Sequence, residues 1–165
     1  MAKPKPLSRE DFLKVVENTP LVSIDLIVFD SEGKVLVGLR RNRPAQNTWF
    51  VPGGKILKDE RIAEAIQRIS RVELGVEISS SQAHFMGVYE HLYPDNFTGK
   101  PGVSTHYIVL AYEVHLISPL PLLPPDQHSQ YRWLTRQEIL ESPEIHENTK
   151  TYFSRKFVDN WNHPL

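Results

Sequence analysis

A chain of 165 residues, 40% hydrophobic and 24% charged, has the material for one domain with a full core and the balance of an ordinary globular protein. Its net charge of −1 argues against a general nucleic-acid or membrane-surface role, and without cysteine it has neither a disulfide framework nor a thiolate nucleophile. No apolar run approaches ~18 residues, and the basic residues 1–6 have no hydrophobic segment behind them, so a soluble, cytoplasmic protein is expected.

In chain order, residues 1–7 carry two prolines and two lysines and are expected to be flexible. Ser8 opens a helix, with Asp11 three residues on as its capping partner, and Phe12, Val15 and Val16 give that helix an apolar side. Phe12 reads either as a packing or dimer-contact residue or as a platform for a base. Residues 21–40 read as a hairpin: a strand over 21–29, a turn at Ser31, Glu32 and Gly33, and a strand over 35–39. Asp25 stands inside the first strand among aliphatic neighbours, as a solvent-facing carboxylate or as a group that orients a catalytic base. Arg40, Arg41 and Arg43 follow. They form either a solvated loop or a diphosphate grip, because a planar guanidinium holds two phosphate oxygens at once. A short strand is expected over 48–51.

Residues 53–76 organise the rest. Gly53 and Gly54 turn the chain and let backbone carbonyls come close to a metal ion; an amphipathic helix follows and Gly75 ends it. Ile62, Ile66, Ile69 and Glu73 recur at helical spacing, which sets a carboxylate on an apolar stripe. Such a group is costly unless paired, and a hard cation such as Mg²⁺ is a natural partner for oxygen ligands at a loop–helix–loop. Ser79–81 reads as a linker. Long strands are expected over 84–93 and 103–115, joined by a polar loop, with Tyr107 on the face of Val109 and Ala111 and His106 on the other. The proline-rich residues 120–125 form a loop, and Gln127 and His128 follow it. A strand over 131–134, a helix capped by Thr135 and running through Glu141, and a last helix over 146–158 complete the chain. With no internal repeat and no linker between domains, this is one α+β domain over 1–165, a sandwich of helices and a sheet.

The stretch 53–76 resembles the Nudix box. Gly54, Glu60, Arg68, Glu73, Gly75 and Val76 fit that pattern in register. Ile69 and Val72 stand where two of its glutamates normally stand, and Ser70 takes an apolar position. Trp49 to Gly54, Asn42 to Gln46, Asp95 to Phe97, Thr105 to Tyr107, Gln127–His128 and Tyr131 to Leu134 extend the likeness over nearly the whole chain. They resemble the GDP-mannose mannosyl hydrolase branch, which carries this altered box. The resemblance implies an α/β/α sandwich with a mixed sheet, a homodimer, and a GDP-sugar substrate, GDP-mannose with GDP-glucose as a second candidate. Water attacks C1 of the sugar with inversion and GDP leaves. It implies metal ligation by the Gly53 carbonyl, Glu73 and Gln127, with one Mg²⁺ per site for which Mn²⁺ can substitute. His128 falls on the general base. Arg40, Lys55 and Tyr107 fall around the departing GDP, and Asp25 on a carboxylate associated with the site. Lys55 replaces the arginine expected there, and a lysine is a point charge without the bidentate fork.

The residues support this chemistry on their own terms. Replacing two glutamates by Ile69 and Val72 removes two negative charges, so one divalent ion is the expected occupancy and the base must come from elsewhere. Imidazole titrates near neutral pH, which suits His128. Glu60 and Arg68 are expected to pair and brace the loop. The competing functions are a conventional pyrophosphatase acting on a nucleotide sugar or ADP-ribose, and a nucleotide-sugar binding module without turnover.

Overall fold

Strand β1 (Leu21–Phe29) is buried along most of its length, because its sequence offers apolar residues to both sides of the sheet. The computed structural model describes residues 7–120, 123–124 and 128–154. β1 pairs in parallel with β6 (Thr105–His115) and antiparallel with β2 (Val35–Arg40) and β4 (Gly53–Lys55). β3 (Trp49–Phe50) and β7 (His128–Leu134) add to β2, and β5 (Ala83–Tyr93) adds to β6. The result is a seven-stranded mixed sheet in which β3-β2-β1-β6-β5 form the main path.

Alternation along β1 assigns the two faces. Ile24, Leu26 and Val28 pack against Ile66, Ile69 and Leu74 of helix α2 (Ile62–Leu74). Ile27 faces the opposite layer, where Ile139 of α3 (Arg136–Glu141) meets Ile145, Tyr152 and Phe153 around α4 (Glu147–Thr151). The architecture is therefore the expected α+β sandwich. Helix α1 (Arg9–Asn18) covers one end, where Phe12, Val15 and Val16 join Leu21, Phe97 and Val103.

Helix ends follow the local chemistry. Ser8 accepts the Asp11 N–H at 3.0 Å, and Thr135 and Glu138 cap each other's backbone N–H groups. Gly75 takes the left-handed conformation that ends α2, at φ 72°. Ser70, in place of an apolar box residue, is fully buried and tolerated because its hydroxyl accepts the Ile78 N–H at 2.9 Å.

Several boundaries differ from the sequence reading. Gly53 to Lys55 form a strand on β1 rather than a turn, since residues without side chains let two backbones pair closely. Ile62 is 44% exposed, being the first residue of α2 and beyond the edge of the layer its stripe was expected to cover. Ser80–Gln82 is a 3₁₀ turn. β7 starts at His128, three residues early, because β2 provides the pairing register Arg40↔His128. α4 spans Glu147–Thr151 of the helix expected over 146–158, with His146 as its N-cap; the part beyond Ser154, like residues 1–6, lies outside the described residues. No helix among the described residues is long and apolar enough to cross a membrane.

Candidate active site

Asp25, Arg40, Gly53, Lys55, Glu73, Tyr107 and His128 line one cleft on the sheet. Seven positions chosen from sequence thus converge. Gln127 lies outside the described residues. Phe12 stands at the rim, its ring 3.7 Å from the Lys55 ammonium and 5.0 Å from the Phe97 ring. Of the three arginines, Arg40 reaches the cleft, with its guanidinium 5.1 Å from the centre of the Phe50 ring, whereas Arg43 turns to Asp95 at 3.5 Å and Arg41 is exposed. The enclosed space is about 100 Å³, well below the ~300–1,000 Å³ of a typical small-molecule site. A nucleotide sugar would extend over the rim.

The α2 side carries the box. Glu73, on the last turn, is buried. Ile69 goes into the core, and Val72 is 46% exposed on the outer side of the helix, so the two altered positions have unlike fates. Glu60 is saturated. Arg68 grips both its oxygens, at 2.6 and 2.8 Å, and the Leu57 N–H donates to it at 2.9 Å. Arg68 also donates to the Lys55 carbonyl at 2.9 Å, which ties α2 to β4. That grip holds the Glu60 carboxyl below its usual range although burial acts the other way. The Lys55 ammonium is pulled down by burial and then by Arg68.

His128 closes this side. Its Nε2 lies 3.1 Å from Glu73 Oε2, with both groups buried, and Nδ1 has no partner among the described residues. The ring lies on Gly38 of β2 so closely that a Cβ there would stand 2.4 Å from Cγ and Nδ1. Gly38 was invisible as a site residue in the sequence, because its role is to leave room for a side chain 90 positions away.

The α4 side was largely missed. Asp25 is buried rather than solvent-facing: it accepts a hydrogen bond from the Tyr152 hydroxyl at 2.6 Å, and the tyrosine oxygen lies 3.2 Å from His91 Nε2. Burial lifts the Asp25 carboxyl to about 6, with Glu73 adding to the rise and Tyr152 and Arg40 opposing it. Burial, His146 and Arg40 push the His91 imidazole down to about 4. The sheet register makes the cluster. His91 is opposite Tyr107 and Tyr93 opposite Thr105, so alternate residues of β5 share the Tyr107 face. The alternation His91, Tyr93 was the available signal. Burial also raises the Tyr107 hydroxyl.

The cleft brings oxygen donors at a glycine strand and a helix end beside the cationic side chains of Arg40 and Lys55. Residues 19–157 match the NUDIX domain family, and the chain belongs to it. The Low-salt glycan biosynthesis protein Agl8 of Haloferax volcanii is 39% identical over 132 residues, 78% of this chain and 81% of that protein. The fold is shared with the MutT protein of Methanosarcina mazei Go1 (TM-score 0.68, 20% identity, 87% of this chain and 98% of that one). It is also shared with the NUDIX domain of Shewanella oneidensis NrtR complexed with ADP ribose (TM-score 0.61, 15% identity, 88% and 95%).

Nudix hydrolases generally use a divalent cation such as Mg²⁺. The donors present fit one. Among the described residues no three His, Cys, Asp or Glu side chains cluster to hold a metal, but Glu73 and the backbone of Gly53 bring hard oxygens to the same cleft. Few protein ligands, with water and phosphate completing the shell, is the usual mode for Mg²⁺.

Proposed function

We propose that this chain hydrolyses GDP-mannose, and GDP-glucose as a second substrate, to GDP and the free sugar by attack of water at C1 with inversion. What supports the reading above all is that Glu73 is the α2 carboxylate lining the cleft: Glu60 is taken up by Arg68, Ile69 is core and Val72 points away. A single carboxylate suits one cation better than the several ions that generate a metal hydroxide at phosphorus. In this proposal Gly53, Glu73 and Gln127 hold Mg²⁺, or Mn²⁺ in its place. When bound, the cation neutralises charge on the departing diphosphate.

The remaining steps belong to side chains. Arg40, fixed over Phe50, meets negative charge that grows on the leaving GDP, and Lys55 and Tyr107 flank it. His128 takes the proton of the attacking water; in the structure its Nε2 donates to Glu73, so the imidazole leaves this contact and carries its own proton on Nδ1 when it acts. Asp25 stands across the cleft as a buried carboxylate suited to the positive charge that develops at C1. Phe12 is a rim contact for the base, and a homodimer belongs to the same proposal, to be read by sedimentation. The relationship to a glycan biosynthesis protein agrees with a nucleotide-sugar substrate.

Hydrolysis of GDP-mannose in ¹⁸O-water, followed by mass spectrometry, tests the proposal. Label is expected in mannose with unlabelled GDP. Label in phosphate, with GMP and a sugar phosphate as products, would assign the chain to conventional pyrophosphatases instead.

A further inference from the structure

Tyr152 belongs to no box and enters the site from the far end of the chain, 127 positions from Asp25. It is buried just after α4, with its ring edge-on to Tyr89 at 4.7 Å. A tyrosine so placed would fill the core as well if it were phenylalanine. Its hydroxyl is nonetheless bonded twice, to Asp25 Oδ2 at 2.6 Å and to His91 Nε2 at 3.2 Å.

These two bonds have a direction. An ionised carboxylate only accepts, so the Tyr152 proton is committed to Asp25. The tyrosine oxygen is then the acceptor toward His91, and the His91 proton must sit on Nε2. The chain therefore runs from His91 through Tyr152 to Asp25, each member fixing the next. The Asp25 oxygen that Tyr152 does not hold, Oδ1, lies over Gly53, so close that a Cβ there would be 2.3 Å away. The carboxylate plane is thus set by a strand on one side and a hydroxyl on the other.

We propose that Tyr152 is a positioning residue: it holds Asp25 Oδ2 so that Oδ1 stays aimed into the cleft, toward the carbon at which charge develops. This rests on the role given to Asp25 above. Since the carboxylate is needed as the bond breaks and not to hold GDP, loss of the hydroxyl acts on the chemical step. A hydrogen bond to a charged group, once lost, corresponds to roughly a ten- to hundredfold effect.

The experiment is a double-mutant cycle of Asp25→Asn and Tyr152→Phe in the full chain with Mg²⁺. Rates are normalised to GDP-binding sites counted by calorimetry, so that partial unfolding does not count as lost activity. Tyr152→Phe is expected to lower kcat roughly ten- to hundredfold with KM and GDP affinity within about twofold of wild type. In the Asp25→Asn background the same change is expected to cost less than about threefold. Tyr112→Phe, on the opposite sheet face, is the control and is expected to leave kcat unchanged. An equal kcat loss in both backgrounds, an unchanged kcat, or an effect confined to KM would each overturn the inference. Product analysis of the wild type separates the two levels. GMP among the products defeats the proposed reaction while the cycle still reports on Tyr152; GDP and free sugar with an additive cycle defeats the Tyr152 inference alone.

Discussion

The two walls of the cleft are built by different rules. The α2 wall, with Gly53, Glu73, Arg68 and Glu60, comes from one continuous stretch whose spacing is set by a strand, a turn and a helix. The α4 wall, with Asp25, His91, Tyr93 and Tyr152, is assembled from β1, β5 and the residue that follows α4 and has no local spacing. The first wall holds charges that are paired or fit for a cation. The second holds groups whose ionisation is shifted by burial. In the proposed function, binding of the diphosphate and stabilisation of the sugar carbon fall to opposite walls, and substitutions should separate them.

The largest effect is expected on the α2 wall. Glu73→Gln removes the carboxylate proposed to hold the cation, so tight Mg²⁺ binding in the presence of GDP should vanish in calorimetry. Glu60→Gln should only weaken it, because Glu60 acts on Arg68 and the loop. Full Mg²⁺ affinity in Glu73→Gln would mean that the wall is organised around another ligand. His128→Gln comes next. Loss of a general base costs about 10²–10⁴-fold, so kcat should fall within that range in steady-state assays with KM little changed. A variant with full kcat would leave the base to the other wall.

Glycine substitutions probe how rigid each junction is. Gly38→Ala drives a methyl against the His128 ring, a side chain that can rotate, so a loss of about 1–3 kcal/mol in urea unfolding is expected together with a fall in rate. Gly53→Ala meets the Ile24 carbonyl at 2.8 Å as well as Asp25, and backbone gives way less easily. It should cost more stability than Gly38→Ala; the reverse order would show that β4 moves freely on β1.

The contrast between walls also explains what could be read from the sequence. The strands over 21–29 and 84–93, the helix ended by Gly75 and the cap at Thr135 are local patterns, and each appears within a residue or two of its expected place. Asp25, Arg40, Glu73 and His128 were found through residue chemistry together with the family likeness. Tyr152 falls within the helix expected over 146–158, and nothing near it in sequence says that its hydroxyl meets β1 at Asp25. His128 read as a loop residue because the proline-rich segment before it hides the start of β7. Gly38 carries no side chain to interpret. Each omission concerns a contact between distant segments, which periodicity does not encode.

The smallest effect distinguishes the α4 wall by pH, with EDTA present to keep cations out. Asp25 is faced by Tyr152 from the α4 end, Arg40 from β2 and Glu73 from α2; His91 is faced by Tyr152, His146 and Arg40. The Asp25 carboxyl rises from 3.8 to about 6 on folding, so between these values the native state keeps a proton that the unfolded chain has lost, and stability falls as pH rises. The His91 imidazole drops from 6.5 to about 4, so there the unfolded chain holds the extra proton and stability grows as pH rises. The shifts are each worth about 3 kcal/mol and opposed, which should leave the contribution of this wall nearly flat between about pH 4 and 6. Asp25→Asn removes the falling member, so its stability should climb relative to wild type across that window and be highest near neutrality. His91→Gln removes the rising member, so its stability relative to wild type should decline over the same range. Urea unfolding at half-unit steps from pH 4 to 7 reads both slopes. Two variants that run parallel to wild type would show that neither group is shifted, and the α4 wall would then be as ordinary in its ionisation as a solvent-exposed surface.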